Sequence, residues 1–220
     1  MIVGLSGGIA SGKSTFSSYL QETGLYVIDA DHVARDVVAP NTEGLAQIID
    51  TFGADFLLPD GQLDRAKLGQ VIFSDAALRD TLNHIVHPLV REYMWGQARA
   101  YVEGRPERIV VLDIPLLFES GLQQLADVTV LIYATRDQQL LRLMARNAMT
   151  KDEALRRIHA QMPIEDKRRL ADWVVCNTGD TQNALREAKD LHDRLVQLVQ
   201  LGVMPDGGFD RGVVRRETID

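Results

Sequence analysis

Gly7-Gly8-Ile9-Ala10-Ser11-Gly12-Lys13-Ser14 satisfies the pattern G-x-x-x-x-G-K-[ST] in full. Glycines let such a loop turn tightly, so that successive backbone N–H groups converge on phosphate oxygens. A helix opening at about Lys13 adds its free amides and the positive end of its dipole. Lys13 can then reach the β- and γ-phosphates of a nucleoside triphosphate, and the Ser14 hydroxyl can ligate Mg²⁺. The same glycines could make an ordinary turn before a helix. The strand expected in front and the helix behind favour the phosphate loop.

Two further acidic elements fit phosphoryl chemistry. Ile109-Val110-Val111-Leu112-Asp113 reads as a Walker-B strand, with Asp113 placed to hold Mg²⁺ directly or through water. The simpler alternative is an Asp that caps a turn before Pro115. Asp29-Ala30-Asp31 follows a second short strand, at the carboxyl edge where parallel α/β sheets bind ligands. A carboxylate there could take the proton of an acceptor hydroxyl. Alternatively Asp31 N-caps a helix through Val33–Val38, which accounts for one Asp but not for the pair. A GTPase reading fails, because the chain has no Asn-Lys-x-Asp and Asp113 is not followed three residues later by Gly.

These residues need a frame. Short apolar runs at Ile2–Leu5, Tyr26–Ile28, Ile109–Leu112, Val128–Tyr133 and Trp173–Cys176 alternate with amphipathic stretches, the pattern of a parallel sheet wrapped by helices. The last helix is expected across about 182–201. About eighty residues, 31–107, separate the second and third strands, far more than a crossover helix requires. Their helical stripe of Leu78, Leu82, Ile85, Val86 and Leu89 marks an inserted helical subdomain. A second interruption, 136–170, is helical and rich in Arg, Asp and Glu, as a solvated helical hairpin would be. Gly202–Asp220 lacks periodicity and reads as a frayed tail.

Composition closes off other classes. The chain has 220 residues, 45% hydrophobic and 25% charged, with 24 Lys+Arg against 31 Asp+Glu and a net charge of −7. That is an ordinary globular composition. The one cysteine, Cys176, excludes an intrachain disulfide and a cysteine metal cage, and a reducing, cytoplasmic location is expected. No apolar run reaches the roughly 18 residues needed to span a bilayer, and Met1–Leu5 is too short for a signal peptide before the glycines begin. The acidic balance argues against broad nucleic-acid binding but not against a local anion site.

The ordered set of motifs resembles the dephospho-CoA kinase family. It comprises Gly4-Leu5-Ser6 leading into the phosphate loop and Thr15, Val27-Ile28-Asp29-Ala30-Asp31, His87-Pro88 and Pro115-Leu116-Leu117-Phe118-Glu119. Gln161-Met162 followed by Lys167, and Ala171-Asp172-Trp173-Val174-Val175 with Asn177-Thr178-Gly179, complete it across about residues 1–200. The resemblance implies an α/β fold of P-loop NTPase type, with a helical acceptor-binding insertion and a helical lid. The nucleotide core would be 1–31, 107–135 and 171–202, the acceptor domain 32–106 and the lid 136–170. It implies transfer of the ATP γ-phosphate to the ribose 3′-hydroxyl of dephospho-CoA, giving coenzyme A and ADP in the last step of coenzyme A synthesis.

By the same resemblance, ATP and Mg²⁺ are held by Gly8, Ile9, Ala10, Ser11, Gly12, Lys13, Ser14 and Thr15, with Asp113 as the second metal residue. Asp31 is the base and Asp29 its support. Arg146 matches the lid arginine better than Arg142, one helical turn away. Lys167 is a further cationic candidate, although Lys167-Arg168-Arg169 could equally be an exposed basic face. His87, Leu116, Leu117 and Phe118 would meet the acceptor, the last three unless they are core, and Asn177 and Gly179 would meet adenine. Pro88 is expected to end or kink its helix. Ala10 stands where the family usually has Gly, which is harmless if φ there is negative. The expected partners are ATP and dephospho-CoA, with neither nucleic acid nor membrane, in a monomer or small homo-oligomer. The competing readings are a shikimate- or nucleoside-type kinase, and an ATPase or nucleotide-gated binding module without a small acceptor.

Overall fold

The computed structural model describes residues 1–202; the segment expected to be a tail lies almost wholly outside the described residues. Five strands, β1 (Ile2–Gly7), β2 (Tyr26–Asp29), β3 (Val110–Asp113), β4 (Val128–Tyr133) and β5 (Trp173–Cys176), form one sheet in the order β2-β3-β1-β4-β5. β1 pairs in parallel with both β3 and β4, and β4 with β5. Every residue of β1, β3 and β4 is buried, as central strands covered on both faces must be. One face packs Val3, Leu5, Val111, Val130 and Ile132 on Phe16 and Leu20 of α1 (Lys13–Glu22) and on Ala188, Leu191 and Leu195 of a long last helix.

The strand order reverses around β1, so the loop after β1 opens at the sheet's topological switch point, the usual ligand crevice of such folds. The register puts Leu5 opposite Asp113 and Gly7 opposite Ile132. Asp113 therefore ends its strand beside the start of that loop.

The chain divides into two compact units, one of Met1–Ile28 with Ala98 onward and the other of Asp29–Gln97. The second contains α2 (Ala30–Asp36), α3 (Glu43–Phe52), α4 (Arg65–Ser74) and most of α5 (Ala76–Val102). Its own core is Val38, Leu45, Ile48, Leu63 and Leu68, with Leu82, Ile85 and Val86 of the expected stripe packed against it. The units divide at 28/29 and at 97/98, the latter within α5, which runs unbroken through Pro88 to Val102. Pro88 does not end it.

In the first unit, α6 (Arg136–Asn147) and α7 (Lys151–His159) pack together and are each started by a capping box, Thr135 with Gln138 and Thr150 with Glu153. The short α8 (Ile164–Leu170) and α9 (Thr181–Gln200) flank β5. No helix among the described residues is long and apolar enough to cross a membrane.

Candidate active site

The loop begins at Gly7 and hands over to α1 at Lys13, closed by Ser11 N–H to the Gly8 carbonyl and Thr15 N–H to the Gly12 carbonyl, both 3.0 Å. Gly12 sits at φ +87°, and a β-carbon there would also overlap Nδ2 of Asn177. Glycine is therefore demanded twice over at this position. Ala10 corrects an expectation. Its φ is +58°, not negative, because the loop turns through the left-handed region there. An alanine in that region is strained by about 1–2 kcal/mol, which is the physical reason to prefer glycine at this place.

Lys13 Nζ forms an ion pair with Asp113, and both side chains lie largely out of solvent. The pairing compensates the cost of burying each charge. It also holds the phosphate-binding cation and the expected metal carboxylate at one point. Ser14 is exposed in the first turn of α1. Among the described residues no group of three or more His, Cys, Asp or Glu could hold a metal ion.

The outer wall of the loop is built by residues far along the chain. Asn177 is only 5% exposed; its Nδ2 donates to the Ser11 carbonyl at 2.8 Å, and its backbone N–H to Tyr133 at 2.7 Å. Arg142 joins the same carbonyl, at 3.5 Å, to those of Asn177 at 2.9 Å and Gly179 at 3.3 Å. Gln139 is buried, donates to Ala134 at 2.9 Å and lies against Gly8. Gln161 accepts the Ile9 N–H at 2.8 Å.

Behind this wall Lys167, fully buried, pairs with Glu119 at 2.7 Å and donates to the Pro115 carbonyl at 3.4 Å. Glu119 also accepts the Met162 N–H at 3.1 Å. Lys167 is thus an internal tie and not part of an exposed basic face, though Arg168 and Arg169 are exposed. α8 is held a second time by Tyr133, whose hydroxyl donates to Glu165 at 2.6 Å under the Arg168 guanidinium. Burial and that hydrogen bond push the tyrosine pKa up to about 12, so it remains a donor throughout the physiological range.

The other expected residues divide clearly. Arg146 is exposed, donates to Asn147 at 3.0 Å and has no anionic partner among the described residues. Of the apolar trio only Leu116, 41% exposed, presents a surface. Leu117 and Phe118 are buried, Leu117 against Gly4 and Ala126, so these two are core and not pocket lining. In the helical unit, Asp29 caps α2, its Oδ1 accepting from Asp31 N at 2.7 Å and His32 N at 3.1 Å. The cap is therefore Asp29 and not Asp31. Asp31 is exposed in the first turn of α2 and its carboxylate has no partner among the described residues; His87 is likewise exposed and unpartnered on α5.

Sequence reasoning did not foresee Arg142 as the clamp, Gln139 as the loop's backing or Gln161 as a partner of Ile9. The available signals were the pair Arg142 and Arg146 on one helical face and Gln161-Met162 in the set of motifs shared with the family. Nothing in the spacing says which arginine reaches the loop.

A parallel sheet with this loop at its switch point, its lysine against the acid that ends the neighbouring strand, defines a nucleotide-binding protein of the P-loop class. The sequence profile of dephospho-CoA kinase matches residues 1–183. The dephospho-CoA kinase of Shouchella clausii is 48% identical over 190 residues, covering 86% of this chain and 96% of that protein. That of Carboxydothermus hydrogenoformans is 47% identical over 182 residues, 83% and 88% of the two chains. Among solved structures, a Thermus thermophilus protein superposes with a TM-score of 0.70 at 34% identity, covering 90% of this chain and 97% of that one. The dephospho-CoA kinase from Campylobacter jejuni does so with 0.70 at 26% identity, covering 89% and 97%. The chain belongs to the dephospho-CoA kinase family.

Proposed function

We propose that the residues gathered at the loop after β1, together with Asp31, transfer the γ-phosphate of ATP to the ribose 3′-hydroxyl of dephospho-CoA. Family membership makes the chain an ATP-dependent kinase of dephospho-CoA in coenzyme A synthesis, and does not favour the shikimate- or nucleoside-type alternative. The loop amides of 8–15 and Lys13 hold the triphosphate and gather its charge. As the 3′-oxygen bonds to the γ-phosphorus, the bond to the β–γ bridging oxygen breaks and ADP leaves with that electron pair. Asp31 takes the hydroxyl proton. The observation that carries this role is the division of labour between the two acids: Asp29 is consumed as a helix cap, and Asp31 has no structural task among the described residues.

Mg²⁺ fits the donors present, the Ser14 hydroxyl and the Asp113 carboxylate, which are hard oxygen ligands too few to form a site without phosphate oxygens and water. When bound it neutralises charge on the transferring group. Arg146, free of an anionic partner, is proposed to close over the phosphates with α6–α8 acting as the lid, since water competes with the 3′-hydroxyl. The loop of Asn177 and Gly179 is proposed to border adenine, and His87 and Leu116 the acceptor. A cytoplasmic enzyme, as monomer or small homo-oligomer, completes the reading.

The test is coupled ADP release over dephospho-CoA, adenosine, shikimate and no acceptor. Release should rise with dephospho-CoA alone. Equal release without acceptor, stimulated instead by a protein partner, would overturn the assignment in favour of an ATPase.

A further inference from the structure

Asp31 and Arg35 stand one turn apart on α2, at i and i+4, and so share a face of that helix. An acid four residues ahead of a base is the favourable order for a helical ion pair, yet among the described residues these two form none. The reverse order does pair on the same helix, where His32 Nδ1 meets Asp36 at 3.0 Å. Arg65 Nη2 donates to the Arg35 carbonyl at 2.9 Å, which brings a second exposed arginine to the end of α2. This unit has more acids than cations, but neither guanidinium has a carboxylate partner among the described residues. The unit's other cations are placed differently. Lys67 is tied down, its Nζ on the Asp55 carbonyl at 2.8 Å and 5.3 Å from the centre of the Phe56 ring, and Arg79 and Arg91 belong to α5.

We propose that Arg35 and Arg65 bind the diphosphate of the acceptor and so determine its specificity, selecting a nucleoside that carries a 5′-diphosphate over a bare nucleoside. The inference rests on Asp31 being the base for the ribose 3′-hydroxyl. In dephospho-CoA that hydroxyl and the diphosphate hang from the two carbons that flank C4′ of one ribose. Side chains at i and i+4 of a helix have β-carbons roughly 5–6 Å apart, so one face can serve both groups. The carboxylate takes the hydroxyl, and the guanidinium takes the phosphates next to it. Two guanidinium groups match the two charges of a diphosphate, each with the paired N–H donors that suit phosphate oxygens. Asp31, His87 and Leu116 include no permanent cation, and the Asp31 carboxylate by itself repels a diphosphate. Arg35 on the same face offsets that repulsion.

The decisive measurement is steady-state ADP release by the intact chain, with dephospho-CoA and ATP varied in turn. Arg35→Gln should raise the KM for dephospho-CoA about 10–100-fold, the loss of charge-assisted hydrogen bonds to phosphate. The KM for ATP should stay within about twofold of wild type. Arg35→Lys keeps the charge but not the fork, and should recover part of the loss. The wild-type KM for dephospho-CoA should rise as salt is added. In the double variant Arg35→Gln, Arg65→Gln it should rise far less, because screening acts on the charge pairing that the substitutions remove. An unchanged KM for dephospho-CoA in Arg35→Gln would overturn the proposal, as would equal rises for both substrates or an equally steep salt response in the variant. Should the double variant not fold, Arg35→Gln alone carries the salt comparison. Failure of the wild type to release ADP with dephospho-CoA would instead bring down the kinase reading, and this assignment with it.

Discussion

Around Ser11 the loop's carbonyl and its lysine are already engaged, although the Ser11 hydroxyl is buried without a hydrogen-bond partner, whereas the side chains of Asp31 and His87 have no partner among the described residues. The Ser11 carbonyl alone takes Asn177 and Arg142, the Ile9 amide takes Gln161, and Lys13 takes Asp113. Asp31 and His87 stand exposed on their helices with no partner among the described residues. The nucleotide side is thus pre-organised by contacts between distant parts of the chain, and the residues proposed for the acceptor are left for the acceptor to organise. Pre-organisation lowers the ordering cost of binding, while a base engaged only during chemistry raises turnover rather than affinity.

The sharpest way to break this contrast is at the two acids. Asp31→Asn should lower kcat by about 10²–10⁴, the usual worth of a general base, with little change in the affinity for ATP. Asp29→Asn keeps an effective cap, so its kcat should stay within about threefold of wild type. Equal losses in the two variants would show that the pair acts as one unit and that the capping distinction is not functional.

The next largest effect concerns stability. Lys167→Met leaves the Glu119 carboxylate, 20% exposed, without its cation and should cost about 3 kcal/mol in urea unfolding, only part of it recovered when Glu119→Leu is added, because Met162 N–H then loses its acceptor. A cost below about 1 kcal/mol would mean that Lys167 is not the tie that sets the α7–α8 linker.

How these regions read from sequence follows the same divide. β1, β3 and β4 were legible because strands buried on both faces are continuous apolar runs, and the phosphate loop because its glycines and lysine are local requirements. The helical insertion was legible from the stripe through Leu82, Ile85 and Val86. Lys167 was not, since its burial depends on Glu119, and Lys-Arg-Arg alone looks solvated. Arg142 and Arg146 share a helical face, and only the position of α6 along the sheet decides which one meets Ser11. Leu117 and Phe118 read as pocket or core equally well until the crossing over Gly4 is known. Pro88 is a strong local signal that packing of α5 overrides.

A smaller effect separates holding the loop from recognising the base. Asn177→Ala removes the bond to Ser11 and should raise the KM for ATP about tenfold, in line with about 1–3 kcal/mol for a buried partner lost. Asn177→Asp should do worse, because a carboxylate cannot donate to a carbonyl. If the role is to hold the loop, ATP and GTP suffer in equal proportion. A change in their ratio would instead place the side chain against adenine.

The smallest effect lies in the loop itself. At φ +58°, Ala10 carries the steric cost of a β-carbon in the left-handed region, about 1–2 kcal/mol. Ala10→Gly removes that cost but gives the unfolded chain more freedom, which opposes it by about 0.4–1 kcal/mol. The difference favours the glycine variant by roughly 0.5 kcal/mol, a Tm rise of about 1–2 °C for a chain of this size. ATP affinity should not fall, because the native turn is the one glycine adopts most readily. A lower Tm would mean that the Ala10 methyl makes contacts worth more than the strain it carries, and the loop's pre-organisation would then include packing as well as hydrogen bonds.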